Sequence, residues 1–520
     1  MLPPNPTRSV LRSALGGLLS TPLLLGALLV ASAEAAPQRP NLRTLLLGGG
    51  AARGVTGPWE LRLSDDSTAF LELISVPPVS SPPVSSPPVS APPFGVPPIA
   101  FPTITPGFGG SALILRLIVP ATGELELFTL FVPDTPIGVE RPLLTCFHGA
   151  NVSHLDIFFN TSFLQEAEAR DWFLIAPFQR GVQGYEQLNY ACVPSQLHVQ
   201  AVIDFVLRIY DVDRDRLYGV GFSMGGGSAL SFAARHRDRS TGAFAAAVNH
   251  TGTVSLGNVY ANQPNQQMAL EAIFGGTPTS VPFAYQRSSV LEVDPAGALV
   301  SGGRHMARNL EHVPIRTVYG VTDTLTHLID QSLALDAYMQ LLPQASHELF
   351  ASAVPGSCNS QQHCWATLDE TATCDFLAQH SLVSNPPSGG YLIDRDDVRW
   401  GRFRFDMTVD GEFASMKYDS SVSNNQLQID QTRNIDTVGV DVLDFGLDPT
   451  APLQVWAGAA DGTGDVVVLE GFASQPVQVT RNGSAPIPES CNFPGTVSWC
   501  YANGVLTLHE VSGGGLWSIQ

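Results

Sequence analysis

Gly221-Phe222-Ser223-Met224-Gly225 sets a serine between two glycines, each two residues away, a spacing that can present a hydroxyl for nucleophilic attack. A serine hydroxyl is a poor nucleophile until a base takes its proton, and the base needs a third group to fix its tautomer and hold its charge. The flanks suit that chemistry. Arg216-Leu217-Tyr218-Gly219-Val220 reads as a short buried strand, and Gly226 leads into Ser231-Phe232-Ala233-Ala234-Arg235, which reads as a helix packed through small residues. A serine on so tight a turn has a strained backbone, and side chains at 221 and 225 would collide with adjacent chain. Gly221 and Gly225 remove both collisions. The turn also aims the Met224 N–H, at the positive end of the helix, to where an oxyanion would form.

In a strand–turn–helix setting of this kind the acid follows the serine and the histidine follows the acid. Val313 to Tyr319 reads as a strand, and Asp323 lies in the loop that leaves it, which makes Asp323 the expected acid. Asp330 reads as the solvated start of a helix over 330–342, and His327 stands too near both Asp323 and that helix to be the base. A strand over 347–353 and a loop over 354–362 deliver His363, the expected base, ahead of a helix over 366–380. His347 heads that strand and His380 ends that helix. Upstream, Pro142 to Phe147 reads as a buried strand ending in His148-Gly149-Ala150-Asn151. Gly149 or Ala150 would supply the second oxyanion N–H, with His148 as a support beneath the loop.

These residues need a scaffold. Ala112 to Val119 and Leu125 to Val132 alternate as an antiparallel edge, and Trp172 to Pro177 is a further strand. Val193 to Tyr210 reads as a helix with Leu197, Ala201, Phe205 and Ile209 on its buried face. Strands alternating with helices imply an α/β domain: a mainly parallel sheet covered on both faces.

The run Tyr210 to Tyr218 followed by Gly221 to Gly226 resembles secreted α/β-hydrolase esterases, with further matches at Leu144 to Gly149, Pro177 to Gly181, and Phe274 to Pro278 with Tyr285. The similar groups are feruloyl and acetylxylan esterases, polyhydroxybutyrate depolymerases and prolyl-oligopeptidase-like hydrolases. The resemblance spans about 108–384. It implies an α/β-hydrolase fold and acyl transfer to water from an ester substrate, free or polymeric, with no cofactor and no metal. The oxyanion loop departs from the pattern, reading His-Gly-Ala-Asn where such proteins carry further glycines. Three other functions share this pattern: a serine peptidase of the prolyl-oligopeptidase-like group, an extracellular polyester depolymerase, and a non-catalytic binding protein on the same scaffold.

The 520 residues are expected to divide into a signal peptide (1–36), a short β segment (37–74), a proline- and serine-rich linker (75–107), the hydrolase domain (108–384) and an all-β, sandwich-like C-terminal domain (385–520). Arg8 and Arg12 precede an apolar stretch, Leu15 to Val30, and small residues up to Ala36, the pattern of a leader for export to the extracellular space or periplasm. No membrane span is expected once it is removed. A net charge of −20 lacks the basic footprint that nucleic acid requires. Seven cysteines leave at least one unpaired within the chain. Cys146, in a buried strand, is the expected free thiol, Cys491 and Cys500 are an expected bridge, and Cys358, Cys364 and Cys374 bracket His363, with Cys192 a further candidate partner. Asp211 to Asp215 begins like a calcium loop but has Arg216 and Phe222 where glycine and a carboxylate are needed. No zinc-binding spacing is present.

Overall fold

Residues 142–147, 173–177 and 246–250 are buried without interruption, as strands covered by helices on each side must be. They lie at the centre of a ten-stranded sheet with order β1-β2-β3-β4-β6-β5-β7-β8-β9-β10. The strands are β1 (Trp59–Arg62), β2 (Thr68–Ser75), β3 (Gly110–Ile118), β4 (Leu125–Pro133), β5 (Arg141–Phe147), β6 (Phe173–Pro177), β7 (Val212–Phe222), β8 (Ala246–His250), β9 (Ile315–Gly320) and β10 (His347–Ser352). The computed structural model describes residues 59–62, 68–75, 110–134, 138–353, 360–396, 398–461, 464–492, 496–511 and 513–520. The expected leader, all but the first residue of the linker, and Cys358 lie outside the described residues.

From β5 and β6 through β10 every pairing is parallel, whereas β1 to β4 are antiparallel to their neighbours, including β4 to β6. The β3–β4 pair does not end the sheet, because β2 pairs onto β3 and β1 onto β2. The helices are α1 (Asp156–Asn160), α2 (Phe163–Arg170), α3 (Val193–Ile209), α4 (Met224–Arg235), α5 (Leu256–Asn262), α6 (Gln267–Phe274), α7 (Pro282–Ser288), α8 (Thr326–Met339) and α9 (Glu370–Ala378). One face of the sheet buries Leu144, Cys146, Leu174 and Val220 with Phe163 of α2 and Phe376 of α9. On the other face, Phe147 meets Phe232 of α4 at 6.3 Å and Phe128 meets Phe205 of α3 at 5.8 Å between ring centroids.

Three sequence expectations are corrected. The buried stripe of α3 runs through Ser195, Val199, Val202, Ile203 and Val206, and of the four residues expected there only Phe205 is buried. A strict four-residue spacing drifts around a helix of 3.6 residues per turn, so it cannot follow one face over four turns. α8 begins at Thr326, so Asp330 lies inside it and His327 in its first turn. α9 is preceded by a separate 3₁₀ turn, Trp365–Thr367, rather than being continuous from 366, because Asp369 caps it by accepting the Ala372 N–H.

The C-terminal strands form a six-stranded sheet, beginning with β11 (Ser388–Ile393) and β13 (Ala414–Ser421), and a five-stranded sheet, beginning with β12 (Phe403–Met407) and β15 (Ile435–Asp441). Alternate residues are buried along Gln426–Arg433 and Val505–His509, one in each sheet, the pattern of two sheets covering one another. Cys491 and Cys500 are disulfide-bonded. Cys364 is also disulfide-bonded, to a partner outside the described residues, while Cys146, Cys192 and Cys374 are buried free thiols.

The C-terminal strands are bonded into the unit built on the ten-stranded sheet. Asp394, after β11, takes Arg235 at the end of α4 (2.7 Å) and Arg287 of α7 (2.9 Å), and neither Arg235 nor Asp394 has an exposed side chain. Burial pushes the Asp394 carboxyl up, but Arg235, Arg287 and Arg395 pull it further down, so it stays ionised. Asn309 adds two bonds across the same seam, donating to the Leu392 carbonyl and accepting the Leu392 N–H, and a third to the Ala234 carbonyl on its own side.

Two buried histidines make stability pH-dependent. Burial, reinforced by His148 in one case and His363 in the other, holds His154 and His250 down at about 3. In the unfolded chain both bind a proton below the ordinary value of 6.5, so stability is full above that pH and falls as pH drops from 6.5 toward 3. Each histidine contributes a slope of about 1.4 kcal/mol per pH unit. Urea titrations at successive pH values between 6.5 and about 4.5, above most carboxylate titration, should show falling stability with proton uptake on unfolding. A flat profile would contradict this.

Candidate active site

Ser223 occupies the junction of β7 and α4 with φ 56° and ψ −123°, a conformation costing about 1–3 kcal/mol for a residue with a side chain. Its backbone is over-determined: the N–H donates to His250 O (2.9 Å), and the carbonyl accepts Gly226 N–H (3.0 Å), Gly227 N–H (3.3 Å) and Thr253 N–H (3.1 Å). The side chain makes no capping bond to the helix it precedes. From Leu217 through Arg237 every residue is buried except Ser223. The flanking glycines are required by contact: a Cβ on Gly221 would lie 2.1 Å from Gly225 O, and one on Gly225 would lie 2.2 Å from Phe147 O.

Asp323 stands three residues past β9 and His363 in the loop after β10, joined by His363 Nδ1 to Asp323 Oδ2 at 2.6 Å. Both are buried. The other Asp323 oxygen accepts the Leu325 N–H at 2.8 Å, so both carboxylate oxygens have defined partners. The His363 ring lies 4.5 Å from that of Phe222, the residue before Ser223, and Phe222 also meets His250 (4.9 Å) and Trp365 (5.2 Å). Trp365 is itself fixed by donating to Asp156 at 2.8 Å. His250 Nε2 and Thr367 Oγ1, 2.6 Å apart, tie the strand that holds the Ser223 N–H to the turn that follows His363. The structure thus brings the serine, the histidine and the aspartate to one end of the sheet.

Met224 N–H opens α4 and is one of the four donors that a helix start leaves without an intrahelical acceptor. The loop after β5 lies beside it, with Gly149 close enough that a Cβ would sit 3.3 Å from the Phe222 ring. His148 is buried under this loop, its Nδ1 2.7 Å from Gly149 O and its Nε2 2.6 Å from Phe178 O. A trans peptide points its C=O and N–H in opposite directions. Holding the Gly149 carbonyl toward His148 therefore turns the Ala150 N–H the other way.

A buried carboxylate that the sequence reading misses supports that loop. Glu126, inside the apolar strand β4 and fully buried, accepts the backbone N–H groups of Gln179 (2.6 Å) and Arg180 (3.1 Å) and pairs with His198 (2.9 Å). Gln179 has φ 56°, and Phe178, which precedes it, supplies the carbonyl facing His148. A run of hydrogen bonds and close polar contacts therefore leads from Glu126 through the Phe178–Arg180 turn and His148 to Gly149, with a neutral His148 donating to one of the two carbonyls that it faces. The sequence does carry a signal for it: a carboxylate at the second position of a strand that is otherwise apolar but for Thr129.

His327, in the first turn of α8, bonds Gln263 at 2.9 Å and is held below its ordinary value, chiefly by burial, with Asp323 opposing the shift and His363 adding to it. Around Met224 the residues between β8 and β9 form an apolar cluster with Leu256, Val259, Leu270 and Tyr285, against which Ala150, Tyr185 and Leu325 are partly buried. Among the described residues, the one group with metal-ligand spacing is Glu489 with Cys491 and Cys500, and both sulfurs are taken up by the disulfide.

The strand order, with the serine after β7, the acid after β9 and the histidine after β10, decides the fold. It is the α/β-hydrolase fold. No family model matches the chain, and no curated protein matches it. Among solved structures, it is similar to a ferulic acid esterase (16% identity, 52% of this chain and 99% of that one, TM-score 0.39). It is also similar to an acetyl xylan esterase from Paenibacillus sp. R4 (15% identity, 53% and 86%, TM-score 0.37) and to Porphyromonas gingivalis dipeptidyl peptidase 4 (17% identity, 52% and 36%, TM-score 0.39).

Proposed function

We propose that this α/β-hydrolase is a serine hydrolase cleaving carboxylic esters through an acyl-enzyme. One observation carries the reading: the single accessible residue of a buried strand–helix junction is a serine, and a hydrogen-bonded His363–Asp323 pair packs against the residue beside it. In the proposed reaction His363 Nε2 takes the Ser223 proton as Oγ attacks the acyl carbon. Asp323 remains ionised, and the N–H groups of Met224 and of Ala150 or Gly149 receive the oxyanion. The C–O bond to the alcohol breaks, the alcohol leaves with the proton from His363, and water repeats the sequence to release the acid. The apolar cluster around Met224 supports an ester with an apolar group beside the oxyanion donors.

A peptidase would use the same three residues, so the distinction is tested on substrate. Matched nitrophenyl esters and nitroanilides should differ, with ester turnover prevailing at equal acyl group; amide cleavage as efficient as ester cleavage would reverse the reading. The C-terminal sheets are proposed to serve as a structural partner of the catalytic unit rather than as an adsorption module for polymer, since Asp394 and Leu392 bond into α4 and its neighbour. We further place the protein outside the cytoplasm, as the disulfides at Cys491–Cys500 and Cys364 favour an oxidising compartment. Among the described residues no helix is long and apolar enough to cross a membrane.

Glu126 is proposed as a positioning residue for the oxyanion loop. Glu126→Gln presents an amide N–H₂ where a backbone N–H or His198 needs an acceptor, so the Phe178–Arg180 turn should shift. Because loss of a whole oxyanion donor costs about 10²–10³ in kcat, partial misplacement should cost about 10–100-fold in kcat with KM little changed. A variant that melts earlier yet keeps the parent kcat would show that Glu126 is structural only.

A further inference from the structure

A second polar site lies in the seam between the catalytic sheet and the C-terminal sheets, in a cavity of about 170 Å³ that none of Ser223, Asp323 and His363 lines. The chain as a whole is acidic, with 27 lysines and arginines against 47 aspartates and glutamates. This one cavity nevertheless gathers five arginines against three carboxylates. Two of the arginines have nearby partners: Arg399 pairs with Asp444 at 2.9 Å and Arg239 with Asp215 at 2.6 Å. Arg402 lies over the Phe445 ring at 3.5 Å and donates to backbone carbonyls. Arg237 and Arg308 form no ion pair with any described carboxylate.

Arg237 is the decisive residue. Its side chain is nine-tenths buried, and its Nη1 has no hydrogen-bond partner among the described residues. A lysine so placed could shed its proton, but a guanidinium keeps its charge in a protein, and a buried charge without a partner costs several kcal/mol. The polar groups that act on it are the Tyr391 and Tyr418 hydroxyls. Burial pushes both of these up, so they stay neutral and supply no counter-charge. Asp394, the buried carboxylate of the same seam, is already shared by Arg235 and Arg287. Arg308 lies flat on the neighbouring backbone, where a Cβ on Gly390 would come within 2.4 Å of its Nη2. The positive field also reaches His312, which is held low first by burial and then by Arg237 and Arg402, against the opposing pull of its bond to Ser388 and of Glu311.

We propose that this cavity binds one small tetrahedral oxyanion, inorganic phosphate or sulfate, with Arg237 and Arg308 as its ligands. Guanidinium forks match such oxygens in pairs, and the anion would link the end of α4 to the 3₁₀ turn Met306–Leu310, whose Arg308 packs on Gly390 of β11. The probe is potassium phosphate titrated into the full chain against potassium chloride at equal ionic strength, read by calorimetry and by unfolding temperature. The expected result is saturable binding of one phosphate per chain, with an unfolding temperature that rises and levels off, and sulfate competing. Arg237→Gln and Arg308→Gln should each weaken binding about tenfold or more while leaving hydrolysis of a soluble ester unchanged. Absence of saturable binding to the parent chain overturns the proposal without recourse to variants. Binding that survives in both variants overturns it as well.

Discussion

Ser223→Ala should leave a folded protein that no longer turns over esters or reacts with a fluorophosphonate. Loss of a triad serine removes about 10⁶ in kcat, with residual acceleration from the oxyanion donors alone. The fold should survive because the four hydrogen bonds that hold position 223 are made by its backbone and the hydroxyl caps nothing. Unfolding temperature should therefore stay within a few degrees of the parent. Kinetics with short- and long-chain nitrophenyl esters, alongside labelling and melting of both proteins, checks all three expectations. A variant that still turns over or still labels would remove Ser223 from the mechanism, and a parent chain that does not label would favour the non-catalytic reading of the scaffold.

Asp323→Asn is expected to lower kcat by about 10⁴, close to 5 kcal/mol of transition-state stabilisation. The direction follows from the two partners of the carboxylate. Leu325 N–H donates to Oδ1 at 2.8 Å, so an amide at this position must keep its oxygen there and turn its N–H₂ toward His363 Nδ1. That nitrogen then becomes an acceptor, and the imidazole proton moves to Nε2, where it blocks removal of the serine proton. The loss should fall on kcat, with the elbow and its fluorophosphonate-accessible geometry retained. Activity within tenfold of the parent would mean that another group orients His363, with His327 the nearest candidate by its electrostatic contact with both residues.

Local chemistry makes much of this site legible. Gly221, Ser223 and Gly225 announce the turn because only glycine tolerates carbonyls at about 2 Å from a Cβ position. The apolar runs that precede Ser223, Asp323 and the loop starting at His148 mark β7, β9 and β5 as strands of a covered sheet. What the sequence hides depends on distance along the chain. The role of Glu126 requires Gln179, Arg180 and His198, more than fifty residues away, and nothing in a strand's own alternation names such partners. β1 and β2 read as an isolated pair because the strand they join, β3, comes only after the proline-rich run. Counting in fours misplaces the buried face of α3, and α8 starts earlier than its pattern suggests because Thr326-His327 carries no strong cap signal. The seam arginines are invisible for the same reason as Glu126: Arg237, Arg308 and Arg402 look like three separate surface charges until the sheets meet.

The salt link at the far end of α4 bears on how this chain could be engineered or could have diversified. The helix that starts beside Ser223 finishes at Arg235, whose guanidinium is paired with Asp394 from the C-terminal sheets. Exchanging residues after 385 for an unrelated module, as is done with tethered binding domains, would leave that guanidinium without its anion beneath the helix. Chimaeras joined there should require a compensating carboxylate or an apolar replacement at 235, so the two halves of this protein are expected to be inherited and redesigned as a pair.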